Sequence, residues 1–350
     1  MYLVVYKFLL FTIYNIMLCN NTIKYIDLFC GLGAFHIAFN NFNSTNNSYK
    51  YKCVMACDLD KRLQKIYSNN FDCPIFGDIN DISLDTIPNF DILCAGFPCQ
   101  PFSLAGKKEG FNNTKSGNLF FKILEIIDYK KPNILLLENV KNIVSIESGV
   151  VFKKIITLLK QRDYYINWKS INSKDYGSAQ SRIRVYIVAT KKNPYIFSNN
   201  NNNNNNSKVI NDILDRNCKD FIHYTDKYYL KSNKTDNNVT TKSNCKMLYR
   251  LINKSTGLGG RQGERIYSID YLSPTICKSS GGLGKKTGLY WIDNKIRRLN
   301  VFEVLRLFNF PNNYKFINIV SNETMIGYLG NSIVISVLEN IINNLNNKHL

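Results

Sequence analysis

Short apolar segments alternate with helix-like segments along the first two-thirds of the chain. Six segments have the length and apolar content of buried strands: residues 23–29, 53–57, 75–77, 91–95, 134–138 and 185–189. Four others carry apolar residues at helical spacing: residues 34–42, 61–69, 117–129 and 151–161. This alternation predicts an α/β protein with a Rossmann-like, doubly wound, mostly parallel sheet. Such a sheet binds its ligands at the carboxyl ends of its strands.

The pattern changes after Asn193-Pro194. Residues 195–290 are polar, basic and dotted with glycine, with short strand-like pieces at 265–269 and 288–292. Residues 199–206 are an unbroken asparagine tract, which cannot bury apolar surface and therefore predicts a linker. We interpret this stretch as a second, smaller, mainly β domain. A last amphipathic helix is predicted at 333–345.

The charge of the chain is unevenly distributed. The net charge is +19, and residues 191–300 hold 20 Lys and Arg against 8 Asp and Glu. This region therefore carries 12 of the 19 excess positive charges in under a third of the chain. Segregated basic charge favours a polyanionic partner, and nucleic acid is the first candidate.

The ten cysteines contain no CxxC pair, and there are only three histidines. This argues against a zinc site and suits a reducing compartment, such as the cytoplasm, the nucleoid or a nucleus. Residues 1–18 are strongly apolar, but Lys7 and Asn15 interrupt them and no signal-cleavage pattern follows. The alternatives for this extension are a membrane anchor, an accessory packing segment and a non-native start upstream of Met17. We expect no stable membrane partner.

The segment GFPCQPFS, residues 96–103, directly follows the strand predicted at 91–95. It presents Cys99 on a proline-flanked loop at a strand end, where a thiolate is accessible for nucleophilic attack. An isolated cysteine is more often a small buried apolar residue. The segments around it decide between these two interpretations.

Five further segments occur in a fixed order around this loop: DLFCGLG at 27–33, ENV at 138–140, QSRIR at 180–184, RRLNVFEVLR at 297–306 and GNSI at 330–333. Together with the Cys99 loop they resemble the signature segments of the C5-cytosine DNA methyltransferase family, over roughly residues 22–345. QGERIYS at 262–268 also resembles part of the recognition domain of the short bacterial HhaI-type members.

The resemblance implies functions for the predicted domains. Residues 1–20 are an N-terminal extension for which the three alternatives above stay open. Residues 21–192 are a catalytic and cofactor-binding domain, and residues 193–296 are a target-recognition domain. Residues 297–350 are a hinge and a helix that returns to the first domain. The expected partner is duplex DNA and the expected state is a monomer. Whether a restriction endonuclease acts alongside stays open.

The cofactor implied is S-adenosyl-L-methionine, with no metal. Glycines of the 27–33 segment allow a tight turn near the ligand, and Asp58 ends a strand where a carboxylate can accept ribose hydroxyls. The family often has an aromatic residue at 59 and a glycine at 34, where this chain has Leu59 and Ala34. A nicotinamide cofactor is the alternative, but position 36 is His36, so no G-x-G-x-x-G motif is present. The predicted cofactor-binding residues are Phe29, Gly31, Leu32, Gly33, Asp58, Leu59, Asp78, Ile79, Pro98, Asn331 and Ser332.

The chemistry implied is covalent, because C5 of cytosine is too weak a nucleophile unaided. Cys99 would add to C6, and Glu138 would hold N3 and the exocyclic amine. Arg182 and Arg184 would position the base edge, Glu138 and phosphates. Alone, Glu138 would be interpreted as a strand-end acid and the arginines as solvated surface residues.

The target base must leave the duplex, because stacking shields C6. Residues 106–117 look like a mobile lid, with a plain surface loop as the alternative. Residues 257–265 and 279–286 look like loops that contact DNA. We expect Arg265 to read guanine and Gln262 to fill the space left by the displaced base. The resemblance implies a short, GCGC-like recognition site. The alternative is that these loops contact phosphates alone and read no sequence. The predicted DNA-binding residues are Ser103, Lys107, Lys108, Arg261, Gln262 and Arg265. A tRNA cytosine methyltransferase and a non-catalytic DNA-binding relative are the rival functions.

Overall fold

The computed structural model describes residues 22–46, 48–98, 119–198, 208–232, 245–279, 281–345 and 348–349. These residues form two compact units. The first contains the described residues up to Ser170, then Arg184–Ser198 and the chain from Glu339. The second contains Ile171–Ile183 and the described residues between Asn199 and Leu338. Residues 171–183 therefore pack with the second unit, although the sequence pattern grouped them with the catalytic domain.

The first unit contains the strands and helices that the alternating pattern predicts, together with one further strand at its sheet edge. They are β1 (Thr22–Leu28), α1 (Ala34–Thr45), β2 (Lys50–Cys57), α2 (Lys61–Asn70), β3 (Ile75–Phe76), β4 (Ile92–Gly96), α3 (Leu119–Lys130), β5 (Ile134–Val140), α4 (Val150–Lys160), most of β6 (Tyr165–Asn172) and most of β7 (Ile183–Thr190).

The strand order is β3-β2-β1-β4-β5-β7-β6. β1 pairs in parallel with β2 and β4, β4 pairs in parallel with β5, and β7 runs antiparallel to β5. The central strands β4 and β5 are almost wholly buried, as expected for parallel strands covered on both faces. The predicted doubly wound, mostly parallel sheet is confirmed.

β6 was not predicted from the sequence. It is the edge strand of the sheet, and Tyr165 and Trp168 on it are 52% and 43% exposed. An edge strand with polar and exposed positions lacks the apolar run that marks a buried strand, so the pattern gives no signal there.

The second unit is built on a smaller sheet with the order β12-β11-β10-β9-β8. Leu251, Ile266, Leu289 and Ile296 form its core. Its elements are β8 (Tyr228–Ser232), β9 (Met247–Asn253), β10 (Arg265–Ser268), β11 (Leu289–Ile292), β12 (Lys295–Arg297), α5 (Val301–Leu307), α6 (Asn322–Asn331) and the first part of α7 (Ile335–Asn343).

The C-terminal helical region differs in detail from the single predicted helix. α7 covers most of 333–345, and α6 precedes it as a separate helix that ends at Asn331, with Ser332 as its C-cap. The end of α7 lies in the first unit, where Glu339 accepts a hydrogen bond from Asn41 at 2.5 Å. Among the described residues, the stretch Asn322–Asn343 is long and apolar enough to cross a membrane, but its apolar 18-residue window is 67% buried inside the protein.

Candidate active site and cofactor loop

The carboxyl ends of β4 and β5 lie side by side in the first unit. Gly96, the last residue of β4, pairs with Glu138 on β5. Neighbouring strands are about 4.8 Å apart, so the chain that leaves β4 starts next to the Glu138 backbone. Phe97 is buried and Pro98 is exposed. Cys99, Ser103, Lys107, Lys108 and the predicted lid at 106–117 lie outside the described residues.

Glu138 forms an ion pair with Arg184 from the antiparallel strand β7. The distance from Arg184 Nε to Glu138 Oε1 is 3.2 Å, and the two side chains are 15% and 10% exposed. Arg184 pairs with Val140, and Tyr186 pairs with Glu138, so the arginine sits diagonally across from the acid. A guanidinium at this distance fixes the orientation of the carboxyl group.

Asn139 connects the end of β5 to the start of the loop that carries Cys99. Its Nδ2 donates to the carbonyl oxygen of Phe97 at 2.9 Å, and its Oδ1 accepts from the Val140 amide at 2.8 Å. The Asn139 side chain is buried. Asn139 is not among the predicted site residues, although ENV at 138–140 was part of the resemblance. An asparagine immediately after a strand-end acid was the available signal.

Arg182 takes a position different from the predicted contact with a base edge or phosphate. It belongs to the second unit and is 2% exposed. Its guanidinium donates to the carbonyl oxygens of Ile276, Gly330 and Ser332 at 3.2, 2.9 and 2.8 Å. These bonds hold the turn at the end of α6, where Asn331 is exposed and Ser332 is 9% exposed. The structure therefore gives Arg182 a positioning role for the 330–332 turn.

The loop between β1 and α1 is a tight turn pinned by Asp58. Phe29, Gly31 and Gly33 have φ angles of 55°, 53° and 74°, in the left-handed region. Asp58, directly after β2, accepts from the Gly31 amide at 2.9 Å through Oδ2 and from the Asp60 amide at 2.9 Å through Oδ1. Burial raises the pKa of Asp58, and the bonds from Asp60 and Gly31 counteract part of that effect.

The other predicted cofactor-binding residues differ in whether their side chains are exposed to a ligand. Leu59 is 72% exposed beside Asp58, whereas Leu32 and Ile79 are each 2% exposed. The side chains of Leu32 and Ile79 are therefore committed to the core, which leaves their backbone for any ligand contact. Asp78 accepts from the Asn80 amide at 2.9 Å and begins a short 3-10 helix after β3.

Asp27 is a buried carboxyl group beneath this loop that the site prediction did not include. It is 1% exposed, and within the described residues neither carboxyl oxygen has a hydrogen-bond partner. Burial, followed by the proximity of Cys53 and Asp58, raises the pKa of Asp27 well above its usual range. Because the ionised form is disfavoured in the folded protein, Asp27 is neutral over a wider pH range there than in the unfolded chain.

We expect Asp27→Asn to change how stability depends on pH. In the wild type, the folded state holds the Asp27 proton after the unfolded state has lost it, so stability falls as pH rises from about 4 toward the raised folded pKa. The asparagine variant lacks this loss. Its free energy of unfolding in urea, relative to wild type, should therefore be higher at pH 8 than at pH 5.

Asp163→Asn is the matched control, because Asp163 is exposed in the turn after α4. Its difference from wild type should be the same at both pH values. An Asp27→Asn difference that is also constant between pH 5 and pH 8 would show that Asp27 titrates alike in the folded and unfolded chains.

The two loops predicted to contact DNA pack against each other in the second unit. The Gly284 amide donates to the Gly263 carbonyl oxygen at 2.7 Å, and a Cβ on Gly263 would lie 2.0 Å from the Gly281 carbonyl oxygen. A Cβ on Gly259 would lie 2.1 Å from the Leu251 carbonyl oxygen. These glycines therefore serve close packing of backbone on backbone, whereas the sequence suggested close approach to bases.

The predicted base-reading side chains differ in their exposure and in their hydrogen bonds. Arg261 and Arg265 are exposed, and Arg265 Nε donates to the Gly260 carbonyl oxygen at 2.8 Å. Gln262 is half-buried, and its Nε2 donates to the Thr275 carbonyl oxygen at 2.9 Å while its Oε1 accepts from Cys277 at 3.3 Å. Filling the space of a displaced base would require Gln262 to break these two bonds.

The strand order, the glycine turn and the strand-end acids define the class of protein as a Rossmann-like methyltransferase of class I. Residues 23–347 match the family model for C-5 cytosine-specific DNA methylases, and the chain belongs to this family. Membership implies the use of S-adenosylmethionine. The predicted family, fold class and enzyme class, a DNA (cytosine-5-)-methyltransferase, are confirmed.

Individual relatives agree with this assignment. The chain is 34% identical over 335 residues to the type II methyltransferase M.HhaI of Haemophilus parahaemolyticus, covering 92% of this chain and 94% of the relative. It is 35% identical over 334 residues to M.HaeII of Haemophilus aegyptius, with the same coverage of 92% and 94%. The crystal structure of the S. pombe Dnmt2 methyltransferase has a TM-score of 0.67 at 18% identity, covering 91% of this chain and 97% of that one, and shows likeness of fold alone.

Proposed function

We propose that this enzyme methylates C5 of a cytosine that has left the duplex at a short DNA site, through a temporary bond between Cys99 and C6. The ion pair of Glu138 and Arg184, at the sheet edge where the Cys99 loop begins, is the observation that carries this proposal. Cys99 is three residues beyond Gly96, the strand partner of Glu138, so the nucleophile and the acid start from adjacent strand ends.

The proposed reaction begins at C6. The Cys99 thiolate donates an electron pair to C6, the C5–C6 double bond opens, and C5 becomes enamine-like and nucleophilic. Negative charge develops toward N3, where protonated Glu138 donates a hydrogen bond or its proton. After C5 carries the new methyl group, C5 loses its proton to a base, the C6–S bond breaks and the thiolate is restored.

Arg184 acts on this step through Glu138 and through the base edge. Its Nε holds one carboxyl oxygen of Glu138, so the acid is fixed in one rotamer before the base arrives. A pre-oriented acid avoids reorganisation during the reaction, which is a main source of electrostatic catalysis. Asn139 fixes the backbone at Phe97 and so sets where the Cys99 loop begins.

The residues at the ends of β1, β2 and β3 fit an S-adenosylmethionine molecule. A Cβ on Gly31 would meet nothing nearer than the Phe29 carbonyl oxygen at 4.0 Å, so space is open over this part of the turn. Asp58 would accept ribose hydroxyls, exposed Leu59 would cover a face of the adenine, and Asp78 would accept from its amino group. When bound, the cofactor supplies an electrophilic methyl group. Phe29, Gly33, Pro98, Asn331 and Ser332 remain proposed contacts.

We expect Gly33→Ala to weaken cofactor binding by at least about tenfold, a cost of about 1.4 kcal/mol or more. Gly33 has a φ of 74°, and a Cβ there would lie 2.4 Å from the ring of Phe71 and 3.0 Å from that of Tyr67. Either the turn or the packing of the two rings must move. Titration calorimetry with S-adenosylmethionine and with its demethylated product measures the effect.

Gly77→Ala is the matched control for this prediction. A Cβ on Gly77 would lie 3.8 Å from Gln64 Nε2, an ordinary contact, although Gly77 directly precedes Asp78. This variant should bind the cofactor as the wild type does. Unchanged affinity in Gly33→Ala would show that the turn does not form part of the cofactor site.

The substrate must be presented outside the base stack, because Cys99 has to approach C6 from above the ring plane. Residues 106–117 are the proposed lid over this base, with Ser103, Lys107 and Lys108 as proposed contacts to DNA. These assignments come from the sequence and the family resemblance, since the segment lies outside the described residues.

Exposed Arg265 is the proposed reader of a guanine in a GCGC-like site, with Arg261 and Gln262 beside it. Arginine forms two hydrogen bonds to guanine O6 and N7 in the major groove, and such a pair discriminates by about 1–3 kcal/mol. We expect Arg265→Ala to relax selection at one guanine while cytosine methylation continues. Bisulfite sequencing of methylated DNA gives the site and tests this; an unchanged methylation pattern would remove Arg265 from the assignment.

A further inference from the structure

A cavity of about 370 Å³ lies entirely within the second unit, and its lining does not include Arg261, Gln262 or Arg265. Its lining includes three cations, Lys285, Lys286 and Arg298, and two acids, Glu323 and Asp220. It is therefore a mixed polar cleft with an excess of positive charge, on a unit whose sequence is already strongly basic.

The three cations converge on one carboxylate. Glu323 lies 3.1 Å from Lys286 Nζ, 3.3 Å from Arg298 Nη1 and 3.5 Å from Lys285 Nζ. Lys286 is 16% exposed and also donates to the Glu323 carbonyl oxygen at 2.6 Å, so it is fixed in place. Lys285 and Arg298 are 49% and 39% exposed, which leaves them free to take another anion.

The Glu323 carboxylate also lies at the N-terminus of a helix, which carries the positive end of the helix dipole. Glu323 is in the first turn of α6, which Ser321 caps by accepting from the Thr324 amide at 3.2 Å. The amides of a first helical turn point outward and favour an anion there. Burial alone would raise the pKa of Glu323, but Lys286, Lys285 and Arg298 outweigh it and hold the pKa below its usual range.

Three cations around one carboxylate exceed what neutralisation of that carboxylate requires. Their mutual repulsion is relieved best by a second anion, and Glu323 marks where an oxyanion fits this cluster. The Glu323 side chain is itself 37% exposed, and Lys285 and Arg298 are also partly exposed, so a competing anion from solvent can reach this cluster.

The cleft is continuous with the proposed DNA-contacting loops. Lys285 and Lys286 end the 279–286 loop, which packs on the 257–265 loop through the bond from Gly284 to Gly263. A strand of DNA whose bases meet the exposed Arg265 presents its phosphates to neighbouring surfaces of the same unit. Phosphates carry the charge that such a cluster neutralises.

We infer that Lys285 and Arg298 bind a backbone phosphate of the bound duplex, and that Glu323 occupies this anion site in the free protein and competes with the phosphate. The inference rests on the proposed recognition of DNA by the second unit. It adds a contact that sets affinity and register but carries no sequence information.

The salt dependence of DNA binding tests the contact. Each phosphate contact adds about 0.9 to the slope of log affinity against log salt concentration. Arg298→Gln and Lys285→Gln should each lower the magnitude of the slope by up to about 0.9, which corresponds to roughly 8-fold weaker binding at 0.1 M salt when affinities converge at 1 M. Binding is measured by fluorescence anisotropy with a cognate and a scrambled duplex, and the loss should be equal for both.

Glu323→Gln gives the decisive result, because misfolding cannot produce it. With the competing carboxylate removed, DNA should bind several-fold more tightly at 0.1 M salt, and Glu323→Gln combined with Arg298→Gln should lose that gain. Thermal denaturation confirms that each variant is folded. Lys153→Gln, an exposed charge loss on α4 of the first unit, should change neither the slope nor the affinity by more than about 2-fold.

Three results would overturn the inference: wild-type slopes in both Arg298→Gln and Lys285→Gln, weaker DNA binding by Glu323→Gln, or millimolar inorganic phosphate binding to the cluster while the DNA slopes stay unchanged. The first two make the cluster a structural anchor for α6, and the third makes it a site for free phosphate. Failure of the wild type to bind duplex DNA would count against the proposed function itself.

Discussion

Cys99→Ser should lower the rate of methyl transfer to duplex DNA by at least about 10³-fold, with DNA binding retained. A thiol is partly ionised at neutral pH and is intrinsically very nucleophilic, whereas a serine hydroxyl needs a partner base to attack. Without attack at C6, C5 stays too electron-poor to accept a methyl group. Single-turnover incorporation of labelled methyl groups measures the chemical step apart from binding.

Cys245→Ser is the matched control for loss of a thiol. Burial raises the pKa of Cys245 to about 11, so this thiol is a poor nucleophile at neutral pH. Its serine variant should keep the wild-type rate. A Cys99→Ser enzyme with more than about a tenth of wild-type activity would contradict the covalent route. A nucleophile that forms the intermediate cannot be replaced with so small a loss of rate.

Glu138→Gln should lower the rate of the chemical step by about 10²–10⁴-fold with little effect on DNA affinity. Glutamine has nearly the same shape, but it cannot give a proton to N3 as charge develops there. It also leaves Arg184, at 15% exposure, without the carboxylate it contacts. Single-turnover rates at saturating DNA separate this loss from any weakening of binding.

A double-mutant comparison shows whether Arg184 works through Glu138. If its main contribution is to hold the acid, Arg184→Met in the Glu138→Gln background should cost much less than Arg184→Met alone. Fully additive losses would show that Arg184 acts on the substrate independently. Lys174→Met is a suitable control, because Lys174 lies on a short 3-10 helix of the second unit, 3.9 Å from neighbouring Asp175.

The sequence predicts most of the first unit because its physical signals are local. The run from Ile134 to Leu137 is apolar and ends in Glu138, so both the buried strand and its strand-end acid are visible in the pattern. The glycine turn at 31–33 and Asp58 follow in the same way. Edge strand β6 has no comparable signal, since four of its eight residues are exposed.

Arg182 shows what a local pattern cannot provide. It is two residues from Arg184, and the resemblance assigned both to the base, yet Arg182 belongs to the second unit whereas Arg184 forms an ion pair with Glu138 in the first. The carbonyl groups that bind Arg182 belong to Ile276, Gly330 and Ser332, which are 94 to 150 residues away in sequence. Which carbonyl groups Arg182 binds therefore depends on how the second unit packs. Gln262 is a similar case, because its tie to Thr275 forms only when two loops of that unit pack together.

Asp27 and the Glu323 cluster are also products of tertiary structure. Asp27 follows an apolar run and looks like another strand-end acid, but the sheet buries it completely. Glu323 meets cations from two separate segments, and the sequence alone gives no reason to pair them. The burial of Asp27 and the meeting of Glu323 with three cations both depend on segments that are distant in sequence, so a pattern along the chain does not predict them.

The most direct test is tritiated methyl transfer from S-adenosylmethionine to duplex DNA and to tRNA, with wild-type enzyme and Cys99→Ser side by side. We predict incorporation into duplex DNA only, located at C5 of cytosine by bisulfite sequencing, and its loss in Cys99→Ser. Incorporation into tRNA alone, or incorporation into DNA that Cys99→Ser leaves undiminished, would contradict a DNA cytosine methyltransferase that works through Cys99.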